Sequence, residues 1–174
     1  MIRKIRQRVA KVQIVTADQQ LQVGPLQFQV LWPTVDARPN PRDKNADSIV
    51  LYGKIGKSNW LFTGDADQVI ERSQVLPRQL KADFLKARHH GSKTSSDPAV
   101  VASLDLKTAL ISAGVANRYG HPHRETLETF AKAGVPAVST HEQGMIWVES
   151  SPYRQEDELF SWLKIKESKS HAGP

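Results

Sequence analysis

The chain has 174 residues, no cysteine, and 24 Lys and Arg against 18 Asp and Glu, for a formal net charge of +6. That length suits one domain with a sizeable core, and the missing cysteines exclude a disulfide framework, a thiolate metal site and a cysteine nucleophile. No apolar stretch approaches the roughly 20 residues that cross a bilayer, and the basic N-terminus lacks the apolar core of a signal peptide. The chain alone is therefore expected to be soluble, without lipid binding of its own, and its basic surface suits a polyanionic partner.

In chain order, residues 9–16 alternate and are rich in Val and Ile, which predicts a strand behind a basic, solvated arm. Residues 21–31 carry apolar side chains mostly two apart around a Gly24-Pro25 turn, and residues 35–44 read as a loop. Residues 49–52 and 60–63 flank a glycine-containing turn and predict an antiparallel hairpin. Residues 66–80 predict two short helical pieces parted by Pro77, followed by a buried strand at 84–87. Asp97 as N-cap with Pro98 in the first turn starts a helix that runs to about Leu104. A short strand at 108–112 and an amphipathic helix at 124–133, closed by Gly134, come next. Residues 137–140 and 145–148 predict two last strands around a Glu142-Gln143-Gly144 turn. In the polar remainder, Leu159, Phe160, Trp162, Leu163 and Ile165 would form one docking helix, and 166–174 would be disordered. The division is a body over 1–150 and a tail over 151–174. The element order predicts an α/β fold in which helices cover a mixed sheet.

The stretch 60–96 carries the chemistry. Its first apolar run stops at Asp65 and its second at His89-His90, so a carboxylate and two imidazoles come to the carboxyl ends of neighbouring strands. Ligands gather at such ends in α/β folds, and Asp oxygen with His nitrogen suits zinc, manganese or iron. An aspartate after glycine also serves as a turn residue or helix cap, and that role stays open for Asp65. Side chains alternate across a strand, so one of His89 and His90 is expected to face Asp65, with the other behind it or on substrate. Ser92, Lys93, Thr94, Ser95 and Ser96 precede a helix start and read either as a phosphate seat or as a polar, capped loop. In the loop from Asn117 to His123, Arg118 and the histidines can hold a phosphodiester and Tyr119 can stack on a base, against the alternative of a solvated turn.

The three motifs FTGDAD, LKARHHGS and ALISAGVANRYGHPH together closely resemble the C-terminal domain of the DNA-internalisation competence proteins, the ComEC family, over roughly residues 21–147. The resemblance implies a metallo-β-lactamase-like αββα sandwich, of which this chain would hold the C-terminal half. It implies that Asp65 bridges two divalent metals, zinc or manganese, that the pair His89-His90 supplies one ligand, and that Asp65 and His90 stand at the reacting group. Ser92, Lys93, Ser95, Asn117, Arg118, His121 and His123 are the expected phosphate or substrate contacts; by the resemblance, His121 and His123 match a histidine-rich loop beside the active site, and residues 45–51 match the strand before the Gly-Asp motif. The fold's first metal motif, His-x-His-x-Asp-His, should precede Asp65, where this chain has no histidine. The chain is therefore expected to bind metal weakly or not at all, to lack nuclease activity alone, and to leave a broad apolar sheet face uncovered. Its expected partners are single-stranded DNA and the missing N-terminal half or membrane channel. The parent would take up DNA in natural transformation from the bacterial inner membrane, with this domain extracytoplasmic and hydrolysing phosphodiesters. The alternatives are a non-catalytic nucleic-acid-binding module, or a metallo-hydrolase of a small substrate.

Overall fold

The computed structural model describes residues 12–39, 42 and 44–163. The basic arm up to residue 11, Ile165 and the stretch 166–174 lie outside the described residues. Seven strands form one mixed sheet in sequence order: β1 (Gln20–Val23), β2 (Leu26–Trp32), β3 (Val50–Ile55), β4 (Ser58–Phe62), β5 (Phe84–Lys86), β6 (Thr108–Ile111) and β7 (Ala137–Ser139). The first four pair antiparallel, β1–β2 and β3–β4 as the hairpins expected from the Gly24-Pro25 turn and the 53–59 turn, and β2–β3 across the longer loop 33–49. From β4 onward the pairs are parallel, because each connection carries a helical crossover.

The crossovers set one face of the sheet. Between β4 and β5, α1 (Gln68–Ile70) is capped by Asp67, whose carboxylate accepts from the Ile70 N–H at 2.8 Å. It runs on without a break through a π-turn (Glu71–Val75) into a 3-10 turn (Leu76–Arg78). The two separated pieces expected at 66–80 are thus one helical run, and Pro77 stands in the first turn of its closing 3-10 segment. α2 (Pro98–Leu104) and α3 (Arg124–Lys132) complete the layer. Leu31, Val50, Leu61, Leu85, Ala109 and Ile111 from the strands meet Ile70, Val75, Val101, Leu104 and Phe130 in one core.

The opposite face is apolar too, and less open than expected. Phe28, Val30, Trp60 and Phe84 are buried, while Leu51, Phe62, Leu110 and Val138 are half-buried. The aromatic rings cover one another: Trp60 stacks on Phe84 at 4.6 Å and on Phe62 at 5.7 Å, with Phe28 edge-on to Phe62. Gly53 lies between Phe28 and Trp60 in register, and a Cβ there would stand 2.6 Å from the Phe28 ring.

Three expected elements differ. Residues 12–16 form no strand; the chain turns at Asp18, with Ala17 N–H to Pro33 O and Asp18 N–H to Val30 O. After β7 the chain makes a single helical turn, α4 (Thr140–Gln143), so β8 (Ile146–Glu149) leaves the main sheet. It pairs instead with β9 (Glu158–Ser161), where a helix was expected, and Trp147 stacks on Phe160 at 5.8 Å. This hairpin crosses the expected division at residue 150. Its loop is fixed to the β3–β4 turn by the Lys57 N–H, which donates to Asp157 at 2.9 Å. Among the described residues no helix is long and apolar enough to cross a membrane.

The best-determined cap is Asp97. Its buried carboxylate accepts from the Ala99 N–H at 2.9 Å, the Val100 N–H at 3.3 Å and Arg72 Nη2 at 2.6 Å. Asp97→Ala should lower stability by about 2 kcal/mol and Asp97→Asn by less, as read from denaturant midpoints at unchanged slope.

Candidate functional site

The carboxyl ends of β4, β5 and β6 open into three loops at one edge of the sheet, and the loops are tied together by backbone bonds. Gly64, at φ +56°, turns the chain after β4. The Asp65 N–H then donates to Ser48 Oγ at 3.0 Å, and Gly64 O accepts from the His89 N–H at 3.1 Å. After β5 the residues His89, His90 and Gly91 are all left-handed, at φ 41°, 56° and 78°. Both histidines lie past the strand, so strand alternation does not decide which faces the site, and both rings turn to the same cluster. The third loop packs on this turn: the His123 N–H donates to Gly91 O at 2.8 Å, and a Cβ on Gly91 would stand 2.7 Å from Pro122 Cβ. Only glycine serves there.

This docking gathers four of the six histidines. His121 lies at the centre, its ring centroid 5.7 Å from His89, 6.4 Å from His90 and 5.1 Å from His123. Tyr119 stacks on His121 at 5.7 Å, and the Arg118 guanidinium sits 4.8 Å over Tyr119 while donating to its hydroxyl. His90 Nδ1 lies 2.6 Å from Ser112 O; a carbonyl only accepts, so Nδ1 carries the proton and Nε2 is left free to accept in the neutral ring. Burial and the neighbouring imidazoles of His123, His89 and His90 hold His121 below the ordinary histidine value. Lys86, at the end of β5, is likewise held below the usual lysine range by burial, against the opposing pull of Asp65.

Other expected contacts are spent inside the protein. Ser92 and Ser95 are buried; their hydroxyls meet at 3.2 Å, and Ser95 donates to Arg88 O at 2.6 Å. These bonds brace the turn. Lys93 is exposed and pairs with Glu125 at 3.0 Å. Asn117 shapes its own loop, donating to Gly114 O and His121 O and accepting from the His121 N–H at 2.9 Å. Among the described residues no group of three or more His, Asp or Glu could hold a metal ion.

Beneath the turn is a feature without a sequence motif. Glu71 and Arg88 are both buried, Glu71 accepting from the Asp97 N–H at 2.8 Å and Arg88 donating to Thr94 O. Burial pushes Glu71 up to about 7, against the opposing effects of the Asp97 N–H and Arg88. An apolar strand end followed by Arg and two histidines hinted at Arg88; nothing singled out Glu71.

No family model matches the chain. It is 41% identical over 128 residues to ComE operon protein 3 of Bacillus subtilis, covering 72% of this chain and 16% of that protein. It is 32% identical over 124 residues to Recombination protein 2 of Haemophilus influenzae, covering 71% and 15%. Against Competence protein ComA of Neisseria gonorrhoeae it is 32% identical over 123 residues, covering 66% and 18%. The matches span less than a fifth of the length of these curated relatives.

Glu71 yields a signed pH dependence. Its folded value is raised from 4.5 to about 7, so the folded state keeps a proton that the unfolded chain has released. Its contribution is full below pH 4.5 and is lost as pH rises to 7, by up to about 3 kcal/mol. His121 acts in the opposite sense, its share being lost as pH falls below 6.5. Comparing wild type with Glu71→Gln, which keeps an acceptor for the Asp97 N–H, isolates the glutamate: the variant should gain on wild type between pH 5 and 7.5 in urea melts.

Proposed function

We propose that this chain is a segment of a DNA-uptake protein of the competence type and that its histidine-lined edge faces nucleic acid. Two lines support this reading: the 41% identity to ComE operon protein 3 over most of the chain, and the sequence resemblance centred on Asp65, His89-His90 and the Asn117–His123 loop. The observation that carries it is the convergence of those motifs. Residues far apart in sequence place four imidazoles, Tyr119 and Arg118 together at the edge where α/β folds take ligands. Hydrolysis of phosphodiesters is proposed for the longer protein alone, with Asp65 and the imidazoles as this chain's donors and the other donors from outside it. For the chain itself the reading is binding without cleavage.

A labelled single-stranded oligonucleotide titrated at salt between about 50 and 200 mM tests this. The expected result is binding that weakens as salt rises, is indifferent to EDTA, and leaves the oligonucleotide intact. Failure to bind at the lowest salt, or EDTA-sensitive cleavage by the pure chain, would overturn it.

A further inference from the structure

We propose that the cleft between His90 and His121 is a slot for one unpaired nucleobase of a single-stranded nucleic acid. The inference rests on the nucleic-acid reading above and names which part of the ligand enters the site. A cavity of about 470 Å³ lies there, lined by His90, Ser112, Ala113, Asn117, Tyr119 and His121. That size falls within the range of about 300–1,000 Å³ usual for small-ligand sites. The His90 and His121 rings are inclined by only 16° with centroids 6.4 Å apart. Two stacking steps of about 3.4 Å need about 6.8 Å, so the rings must part for a flat base to enter between them.

The walls are held from behind. The Ser112 carbonyl fixes the His90 ring through Nδ1, and Asn117 clamps the backbone of His121 on both sides. Tyr119, inclined by 24° to His121, and Arg118 continue the stack outward. The series Arg118, Tyr119, His121, His90 is a ladder of flat groups of the kind that accepts successive bases whatever their identity.

The test uses the full chain and two oligonucleotides of equal length and phosphate number, one of ordinary thymidines and one abasic throughout. At fixed low salt the thymidine strand should bind about tenfold or more tighter than the abasic one, as stacking of single bases implies. His121→Ala should bring the two affinities together, and His121→Phe, which keeps a flat ring, should restore the gap. Equal, salt-sensitive binding of both strands by wild type would overturn the slot while leaving the nucleic-acid reading in place. Binding of neither strand would overturn both. The wild-type comparison does not depend on any variant folding.

Discussion

The site depends on three successive left-handed residues, His89, His90 and Gly91. For non-glycine residues that conformation costs about 1–2 kcal/mol each, and it persists only where the surroundings enforce it. Here the enforcement is visible on every side. The His89 N–H is held by Gly64 O, His89 O accepts from the Ser92 N–H, Arg88 O accepts from Ser95, and Gly91 O accepts from the His123 N–H. Released from that turn, the chain after β5 would continue extended and throw the two imidazoles to opposite faces. Held in it, both join the loop that follows β6.

Below the turn, buried polar groups replace the apolar packing that fills the rest of that face. Glu71, Arg88, Asp97 and the two serines form a bonded layer between the helical run and the turn. Most of these groups are bonded, though Arg88 Nε is buried without a partner, so the layer fixes a geometry rather than adding stability. The functional consequence is an edge where the Ser92 and Ser95 hydroxyls and Lys93 are already engaged. What it presents outward is a set of flat rings and one guanidinium.

Strand β4, the crossover, β5, α2 and α3 were legible because each carries its own punctuation: Gly64-Asp65, Asp97-Pro98 and Gly134. The site motifs were legible for the same reason, since rare side chains cluster at strand ends. The roles within them were not. Strand alternation did not apply to His89 and His90, because nothing in the residue pattern announces a left-handed turn before Gly91. Ser92 and Ser95 read as ligand contacts because a hydroxyl beside a helix start has the same sequence signature whether it faces solvent or the interior. The strand at 145–148 was legible, but the stretch from Leu159 was misread because Leu159, Phe160 and Trp162 suit a short helix as well as a strand, and only the pairing of β9 with β8 decides between them.

The central claim is that the loops after β5 and β6 close on one another and bring four imidazoles into contact. Nuclear Overhauser contacts among the histidine ring protons test it most directly. The account predicts cross-peaks from His121 to His89 and to His123, whose centroids lie 5.7 and 5.1 Å away. His121 showing contacts to Tyr119 alone, with His89 and His90 isolated, would mean that the two loops do not close and would contradict the account.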